Sequence, residues 1–581
     1  MDLGMMKKEL VLDDSRRLTG KNLLMDLPSA IIDVTVTGHD KSQIVKQWQY
    51  LIAKLQRAVG WQNYACSYRL FDRGISLAVA APIDALYAAV ELNEAAWAMV
   101  VDAHQNLTDQ AQSPVATSLD NDLVQRLKTA IKTEQNAPLM ALISASEEHA
   151  VAYLWDDDAF SLGLGPTAQT WPIEKLPDVS SVDWQRYSTI PVVYVTGTNG
   201  KSTTVRIMAE IFKQAGKVCG VTSTDFIRAG ERLIDTGDYS GPGGARMLLR
   251  QNDVEVAVLE VARGGLLRRG LPIPQVSGAI ITNVAEDHLG QYGINDIAAL
   301  AETKFLVAKG LASDKVLVLN ADDQEIVKHY ELYKGQLLQR LCWFSQHLNS
   351  PLLEQQRLKK QPLCYENQGA LYYECDGEVE MITSVVAVPM TLQGAAQHNV
   401  LNALGAIGLA KSLNVSSTDV ANGLQNFKSD GQDNPGRGNF YQVNGATVVV
   451  DFAHNVHSMQ AMANTLEALP ARKKWLMLGH AGDRSDTEIN NLTDCIMSIK
   501  PDYLLAVENP AYLRGRELGE IPRLITQRAL ESGMSAKHIH YADTPSDGTS
   551  DLIKRIEAGD LVFLMVLSER DKVVEILSCA H

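Results

Sequence analysis

Apolar residues along the chain follow two spacings that alternate. Runs of four to six residues rich in valine, isoleucine and leucine, such as residues 192–195, lead into polar turns. After the turn, apolar residues recur every three or four positions, as they do at residues 205–212. Similar runs lie at residues 218–221, 254–259, 279–284, 316–319, 448–450, 475–478, 503–507 and 561–566. Strands that alternate with helices in this way predict the α/β class, with buried parallel sheets.

Residues 1–160 show a different arrangement, and we expect them to form an α+β module. Residues 30–36 and 75–80 predict strands, whereas residues 43–59 and 83–101 have helical spacing. Four arginines of this module could bind acidic groups, but scattered arginines are usually solvated, so we expect surface positions for them. These arginines are Arg16, Arg17, Arg69 and Arg73.

Two stretches interrupt every regular spacing and predict domain boundaries. Glycine, proline and aspartate break the pattern at residues 161–188, where we expect a connector. Residues 429–434, rich in aspartate, glycine and asparagine, predict a second boundary. The expected domains therefore cover residues 1–160, 189–430 and 431–581, a division that suits a chain of 581 residues.

Composition narrows the function classes. The chain has 53 basic and 69 acidic residues and a net charge of −16, which argues against nucleic acid or an anionic membrane as the main partner. Its start has no apolar signal core, and we find no apolar run of about 18 residues. The seven cysteines are scattered, as expected for free thiols in a reducing compartment. We therefore expect a cytoplasmic protein.

The polar turn at residues 196–203 carries the strongest chemical signal. It reads TGTNGKST between a predicted strand and a predicted helix. Glycines let backbone N–H groups approach an anion, and the helix start adds a partial positive charge, so the turn predicts a cradle for the phosphates of ATP. Lys201 would reach the β- and γ-phosphates, and the Ser202 hydroxyl would bind Mg²⁺. The alternative is a tight strand-to-helix turn with a chance Gly-Lys-Ser.

Glu260 ends the predicted strand at residues 254–259. A carboxylate at the carboxyl end of a strand beside the phosphate-binding strand is well placed to bind the Mg²⁺ of a nucleotide. Simple surface exposure is the alternative for this residue.

The turn lacks the first glycine of the general GxxxxGK[ST] motif, since Val195 occupies that position. In this it resembles the Mur ligases and folylpolyglutamate synthetases. Further stretches similar to Mur ligases are NVAEDHLG at 283–290, HNVLNA at 398–403, PGRG at 435–438 and DFAHN at 451–455. The resemblance implies a central P-loop domain with a parallel sheet, followed by a Rossmann-like C-terminal domain. Val456 stands where the family usually has proline.

The resemblance also implies roles for individual residues. His288 would bind a second Mg²⁺, with Asn283 and Asp287 in support. Lys304 would be the lysine that many Mur ligases carbamylate to hold this metal, with an ordinary helical lysine as the alternative. The implied catalytic residues are Lys201, His288, Lys304 and Arg437; the metal ligands are Ser202, Glu260 and His288. The resemblance implies that Asn399 and Asn402 contact the adenine of ATP, Asp451 the ribose and Arg437 the γ-phosphate. The other implied ATP contacts are the P-loop residues Thr198, Asn199, Gly200, Lys201, Ser202 and Thr203.

Other stretches are similar to the Mur-ligase module of cyanophycin synthetases in particular. They include TSTD at 222–225, LEVARGGLLRRG at 259–270, GDRSD at 482–486 and LRGR at 513–516. In those synthetases the module uses ATP to join arginine to the β-carboxylate of a polymer aspartate. The residues implied to bind substrate are Thr224, Asp225, Arg263, Arg268, Arg269, His454, Arg514 and Arg516. Arg263, Arg268 and Arg269 could hold an acidic substrate or be surface charges.

Two departures limit this resemblance. Cyanophycin synthetases carry an ATP-grasp module before the Mur module, and here only a connector precedes the P-loop. The segment before LRGR, at residues 507–512, is less acidic than in the family. If those acidic residues help to select a cationic amine, the resemblance does not establish arginine as the amine substrate. In the N-terminal module, the stretch RLTGKNL at 17–23 is weakly similar to the opening of the cyanophycin synthetases.

We therefore expect an ATP-dependent, ADP-forming amide ligase that joins an amino acid to an aspartate-containing acid or peptide through an acyl phosphate. ATP and Mg²⁺ are the expected cofactors, and neither nucleic acid nor a membrane is an expected partner. A separate ATP-grasp ligase and a second copy of the chain are candidate partners. The alternatives are another Mur-type ligase, of the cell-wall or polyglutamate kind, or a non-catalytic Mur-fold subunit that binds a partner ligase.

Overall fold

The structure is a computed structural model that describes residues 8–106, 119–431 and 434–580. The first seven residues of the predicted signal-free start, and Gln432 and Asp433 of the second predicted boundary, lie outside the described residues. No helix of the described residues combines the length and the apolar character that a bilayer span requires.

The N-terminal module is the α+β arrangement that the sequence predicts. Its strands are β1 (Glu9–Leu18), β2 (Ser29–Thr37), β3 (Cys66–Phe71) and β4 (Gly74–Ala80), and its helices are α1 (Lys41–Val59), α2 (Leu86–Asn106), α3 (Asn121–Glu134) and α4 (Ala137–Glu148). The antiparallel sheet has the order β1-β2-β4-β3. Asn93 of α2 joins the helical layer to the sheet, because it accepts a hydrogen bond from Trp48 Nε1 (2.9 Å) and donates one to Leu77 O (2.9 Å).

A second, smaller sheet follows this module. It comprises β5 (Tyr153–Trp155), β6 (Ala159–Leu162) and β7 (Gln169–Pro172), which pair antiparallel. The sheet therefore crosses the expected boundary at residue 160 and extends into the expected connector at residues 161–188. Strands of three or four residues are too short to show a periodic pattern, which explains why the sequence indicated only a connector.

The central domain is built on a sheet of eleven strands in the order β11-β10-β9-β12-β8-β13-β14-β15-β16-β17-β18. These are β8 (Val192–Thr196), β9 (Cys219–Thr222), β10 (Phe226–Ala229), β11 (Arg232–Thr236), β12 (Val256–Glu260), β13 (Val276–Ile281), β14 (Leu311–Asn320), β15 (Arg340–Ser345), β16 (Leu363–Asn367), β17 (Ala370–Cys375) and β18 (Glu378–Ser384). Strands β9 to β16 in this order are parallel, and antiparallel strands extend both edges.

Helices cover both faces of this sheet. They are α5 (Lys201–Gln214), α6 (Pro242–Leu249), α7 (Arg263–Arg269), α8 (Ile297–Phe305), α9 (Gln324–Tyr333), α10 (Pro351–Leu358), α11 (Gln397–Ser412) and α12 (Ser417–Asn426). Every residue of β8 is buried, as the continuous apolar run predicts for a central parallel strand. Helices α7 and α8 pack on one face of the sheet, and α5 and α11 pack on the other.

The C-terminal domain is the Rossmann-like α/β unit that the sequence predicts. Its elements are β19 (Arg437–Val443), β20 (Ala446–Asp451), α13 (Val456–Glu467), β21 (Lys474–Leu478), α14 (Asp486–Met497), β22 (Tyr503–Val507), α15 (Glu520–Glu531), β23 (Ile539–Ala542), α16 (Pro545–Ile553), β24 (Leu561–Met565) and α17 (Arg570–Cys579). The strand order is β19-β20-β24-β21-β22-β23, with only β19 antiparallel.

A buried polar contact joins the P-loop helix to the start of the C-terminal domain. Arg206 of α5 donates to Asn434 Oδ1 (2.9 Å) and to Asp225 Oδ2 (2.6 Å). Asn434 in turn donates to Thr203 Oγ1 (3.1 Å). Arg206 is only 2% exposed, so its charge is compensated by these contacts rather than by water.

We predict that Arg206→Met lowers the free energy of unfolding by about 1–3 kcal/mol, because it removes the donor to the buried Asn434 Oδ1 and the shorter of the two ion pairs of Asp225. Lys213→Met is the matched control on the same helix. Its ammonium pairs with Glu231 on the surface, so it should cost about 1 kcal/mol or less. Urea unfolding of the two variants measures the difference, and equal losses would contradict the buried role of Arg206.

Candidate active site

One cavity of about 790 Å³ lies between the carboxyl edge of the central sheet and the C-terminal domain. It collects most of the residues that the sequence selected. The predicted residues that line it are Thr198, Asn199, Gly200, Lys201, Ser202, Thr203, Thr224, Asp225, Glu260, Arg263, Arg268, His288, Lys304, Asn399, Asn402, Arg437, Asp451, His454 and Arg514. Arg269 and Arg516 are not among its lining residues.

The P-loop is fixed by close packing at its two glycines. Gly197 and Gly200 have φ values of +152° and +80°, which disfavour residues with a side chain. A Cβ atom on Gly197 would lie 1.9 Å from Thr282 Oγ1, and one on Gly200 would lie 2.4 Å from Asn402 Oδ1. Helix α5 starts at Lys201, so its first amides face the cavity and suit phosphate oxygens. Lys201 Nζ donates to Thr198 O at 2.9 Å.

A first cation site is formed by oxygen atoms beside the P-loop. Glu260 is 1% exposed, and its Oε1 atom has no hydrogen-bond partner within the described residues. Its Oε2 atom accepts from Thr224 N at 3.4 Å, and Thr224 Oγ1 lies 3.3 Å from Ser202 Oγ. A buried carboxylate oxygen without a partner is costly, and the hard oxygen donors around it fit Mg²⁺.

A second cluster with metal-binding chemistry lies in the same cavity. Asp287 Oδ1 is 3.8 Å from His288 Nε2, and Asp287 Oδ2 is 3.9 Å from His454 Nε2. His454 Nδ1 lies 3.1 Å from Phe452 O, an acceptor, so this nitrogen donates the hydrogen bond and Nε2 is the ring nitrogen that faces Asp287. Asp287 Oδ1 is buried without a hydrogen-bond partner among the described residues. The three side chains therefore fit a divalent cation.

The electrostatics of this cluster favour ligands that are ready to bind. Burial alone would raise the pKa of the Asp287 carboxyl, but His454, His288 and Lys201 lower it well below its ordinary value. Burial lowers the pKa of His288, which keeps its imidazole neutral at pH 7. An ionised carboxylate beside the neutral imidazole of His288 has the protonation states that a metal ion requires.

Lys304 lies on α8, and its side chain is buried at the wall of the cavity. Burial lowers the pKa of its ammonium well below the ordinary value, and the charges of Lys201 and Arg263 act in the same direction, whereas Asp287 opposes them. The amine is therefore available in its neutral, nucleophilic form. This state is the one that carbamylation requires.

Asn399 and Asn402 lie in the first turns of α11, against the P-loop. Asn402 Nδ2 donates to Asn399 Oδ1 (3.1 Å), and Asn399 Nδ2 donates to Met390 O (2.9 Å). The asparagines therefore orient each other, and His398 and Phe344 line the same part of the cavity.

Arg437 and Asp451 lie on paired residues of β19 and β20, at the edge of the C-terminal domain that faces the cavity. The Nε atom of Arg437 is buried without a hydrogen-bond partner among the described residues, and its guanidinium lies 5.2 Å from the Phe452 ring. Burial raises the pKa of the Asp451 carboxyl to about 6, although the Arg437 charge opposes the shift.

The P-loop also contacts the C-terminal domain directly. Asn199 Nδ2 donates to Asn455 Oδ1 (3.1 Å) and lies 3.0 Å from His457 Nδ1. Asn455 Nδ2 donates back to Asn199 Oδ1 at 3.0 Å. Asn455 also caps α13 by accepting from Ser458 N, so the start of that helix is held against the phosphate cradle.

The charged residues that were predicted to bind substrate, five arginines and Asp225, divide into two groups by their contacts. Arg263 donates to His288 O and Gln291 Oε1, and Arg268 is exposed at the mouth of the cavity. The others are held by charged side chains or, for Arg269, by a backbone carbonyl of the N-terminal module. Asp225 pairs with Arg206 and Arg570, Arg514 with Asp483, Arg516 with Asp486 and Glu520, and Arg269 donates to Arg17 O.

Several cavity residues were not selected from the sequence as site residues. They include Asp322, Asp323, His398, His457 and Arg570, and Asn455 contacts the P-loop beside the cavity. Asn455 and His457 sit within or just after the DFAHN stretch, so their position beside predicted residues was the available signal. Arg570 had no local signal, because it reaches the cavity only through the packing of α17.

We predict that Asp451→Asn raises the melting temperature more at about pH 8 than at about pH 5. The folded-state pKa of Asp451 lies above its ordinary value, so the folded protein loses stability as the pH rises through about 6. Asparagine cannot ionise and avoids this loss. Thermal melts across this pH range test the expectation, and a gain that is independent of pH would contradict it.

Comparison with known proteins relates these residues to a family. The chain matches the Mur ligase middle domain over residues 195–410 and the Mur ligase, glutamate ligase domain over residues 436–565. It is 34% identical over 379 residues to a cyanophycin synthetase of Crocosphaera subtropica, covering 65% of this chain and 42% of that protein. For a cyanophycin synthetase of Nostoc sp. the identity is 35% over 354 residues, covering 61% and 39%.

The chain thus spans about two fifths of the length of these cyanophycin synthetases. The structure of E. coli FolC in complex with DHPP and ADP has a TM-score of 0.50 at 18% identity, and covers 67% of this chain and 88% of FolC. This similarity concerns the fold. The two matching models together account for more than half of the residues, and the chain belongs to the Mur ligase family.

Proposed function

We propose that the chain is an ATP-dependent, ADP-forming amide ligase. One observation carries the proposal: the P-loop lysine, the partnerless carboxylate oxygen of Glu260 and the cluster of Asp287 with two histidines open into one cavity. A phosphate cradle beside two candidate cation sites suits phosphoryl transfer, in which positioning and charge neutralisation provide most of the catalysis. The cyanophycin synthetase relatives support a ligase reaction.

The reaction has two steps. A substrate carboxylate oxygen attacks the γ-phosphorus of ATP, the bond to ADP breaks, and an acyl phosphate forms. An amine nitrogen then attacks the acyl carbon, phosphate leaves, and the nitrogen loses a proton as the amide forms. When bound, ATP supplies the phosphoryl group, and Mg²⁺ neutralises charge on the phosphates.

The residues of the cavity have separate parts in this scheme. Lys201 and the amides at the start of α5 would hold the phosphates, and Arg437 would neutralise charge on the transferring group. Ser202 and Glu260 would hold one Mg²⁺. Asp287, His288 and His454 would hold the other, with Lys304 as a carbamylated ligand.

We further propose an acid with several carboxylates, such as an aspartate-containing peptide, as the acceptor. Arg263 and Arg268 line the cavity, and a guanidinium can bind a carboxylate with two parallel hydrogen bonds. An arginine-like amino acid as the amine follows only from the cyanophycin synthetase relatives. A screen of amino acids and acidic peptides for phosphate release by the purified chain tests both substrates together.

We predict that Lys201→Ala lowers amino-acid-stimulated ADP formation at least about 100-fold, because it removes a charge that acts on the phosphates. Its melting temperature should stay close to that of the wild type, since Lys201 Nζ has a single backbone partner. Lys213→Ala, on the exposed side of the same helix, is the control and should keep full activity. Retained turnover in Lys201→Ala would remove the P-loop from the mechanism.

We predict that Glu260→Gln and His288→Ala each raise the Mg²⁺ concentration needed for half-maximal turnover about tenfold or more, because each removes a metal ligand. Glu255→Gln is the control, since Glu255 precedes the same strand, β12, and pairs with Lys217 on the surface. Magnesium titrations of turnover provide the measurement. Unchanged Mg²⁺ dependence in both variants would place the metal elsewhere.

A further inference from the structure

The sheet of the N-terminal module turns a row of polar side chains towards the central domain. Arg16 of β1 donates to Asp33 Oδ2 at 2.6 Å, and Ser76 of β4 donates to Asp33 Oδ1. Arg16, Asp33 and Ser76 are 8%, 4% and 3% exposed. Arg69 lies on β3, opposite Ser76. The row therefore crosses the whole sheet, and the sequence-based expectation that Arg16 and Arg69 are solvated was wrong.

These arginines contact three separate parts of the central domain. Arg16 Nε donates to Leu267 O of α7 at 2.9 Å, and its guanidinium lies 4.9 Å from the Tyr292 ring. Arg69 donates to Gly293 O at 2.9 Å and pairs with Glu302 of α8 at 3.3 Å. Two side chains thus connect α7, the loop at residues 287–294 and α8.

Each of the three parts carries residues of the cavity. Helix α7 begins with Arg263, the loop contains His288, and α8 carries Lys304 two residues after Glu302. The positions of Arg263, His288 and Lys304 in the cavity therefore depend on elements that the N-terminal sheet supports.

The loop at residues 287–294 needs such support. His288 and Tyr292 have φ values of +50° and +55°, a left-handed conformation that is unfavourable for residues with side chains. Such residues keep this conformation only when their surroundings hold it. Arg263 holds one end of the loop through His288 O, and Arg69 holds the other through Gly293 O.

Close backbone packing supports the same arrangement. A Cβ atom on Gly293 would lie 2.6 Å from the Phe71 ring, and one on Gly270 would lie 2.5 Å from Gly20 O. Leu271 N donates to Lys21 O at 2.9 Å. The module and the end of α7 therefore pack without space between them, and a shift of one would move the other.

We propose that Arg16 and Arg69 are positioning residues: the N-terminal sheet sets the placement of Arg263, His288 and Lys304 through them. As far as catalysis is concerned, this role rests on the proposed ligase function. It makes the N-terminal module a structural part of the active site. Its effect should be local, because the contacts of Arg16 and Arg69 described above are with α7, the loop at residues 287–294 and α8, and not with the P-loop or the C-terminal domain.

Arg69→Ala and Arg73→Ala provide a matched pair for the test. Both residues belong to the β3–β4 hairpin, but Arg73 has an exposed side chain. By hydrogen–deuterium exchange, Arg69→Ala should increase amide exchange in peptides that cover residues 285–296, with exchange unchanged in peptides that cover the P-loop. Exchange in Arg73→Ala should equal that of the wild type. Equal exchange in all three proteins, or a general increase across the chain in Arg69→Ala, would overturn the proposal.

Kinetics give a second readout that loss of fold alone would not produce. Arg69→Ala should lower kcat about tenfold or more, the usual effect of removing a residue that orients a ligand. Its KM for ATP and its Kd for ADP should remain within about twofold of wild type, because the phosphate cradle is separate. A kcat equal to that of Arg73→Ala would overturn the positioning role. A wild-type chain without amino-acid-stimulated ADP release would overturn the proposed function, whereas the exchange measurement would still test positioning.

Substitutions of Tyr292 test the contact between Arg16 and the loop from the side of the loop, without removing a buried charge. Tyr292→Phe keeps the ring over Arg16, and Tyr292→Leu removes it. We expect increased exchange at residues 285–296 and lower kcat only in Tyr292→Leu. Equal behaviour of the two variants would contradict the contribution of the ring.

Discussion

The arrangement of the site depends on the directions of three neighbouring strands. Strand β8 lies between β12 and β13, and all three are parallel, so their carboxyl ends meet at one edge. Glu260 therefore lies beside the last residues of β8, and the loop after β13 reaches over the P-loop. Asn283 Oδ1 accepts from Asn199 N at 2.8 Å across this edge. The order and direction of the strands therefore bring residues that are far apart in the sequence to the same edge of the sheet.

The same edge concentrates polar groups that would be unfavourable elsewhere. Glu260 Oε1 and Asp287 Oδ1 are buried without partners among the described residues, and burial lowers the pKa of the Lys304 ammonium. Each such group costs stability unless a ligand satisfies it. The rigid sheet below them tolerates this cost, and cations at both carboxylates would remove most of it. The two carboxylate oxygens and the Lys304 amine thus lie where the proposed chemistry needs them.

The sequence predicted what local patterns encode and missed what long-range packing creates. Strand ends, the P-loop and Glu260 follow from periodicity and residue type within short stretches, and these predictions agree with the structure. Arg16 and Arg69 were expected on the surface because their acceptors, Leu267 O and Gly293 O, are more than 200 residues away in the sequence. Arg269 and Arg516 were selected with neighbouring residues of a matching motif, but neither lines the cavity: Arg269 is exposed, and Arg516 pairs with Asp486 and Glu520. His454 was expected to bind substrate, and only the structure shows how close it lies to Asp287.

Two contacts between the central and C-terminal domains differ in strength. At the start of the C-terminal domain, Arg570 lies 3.6 Å from Asp225, and the buried Arg206, which also pairs with Asp225 within the central domain, donates to the buried Asn434. Over the P-loop, the contact consists of neutral amide hydrogen bonds between Asn199 and Asn455. Neutral hydrogen bonds contribute only about 1 kcal/mol each in water, whereas a buried charge must keep its partner. Separation at the P-loop is therefore less costly than separation at Asp225. Such an arrangement favours opening over the nucleotide site, where substrates enter, while the charged contact keeps the domains together and water is excluded on closure.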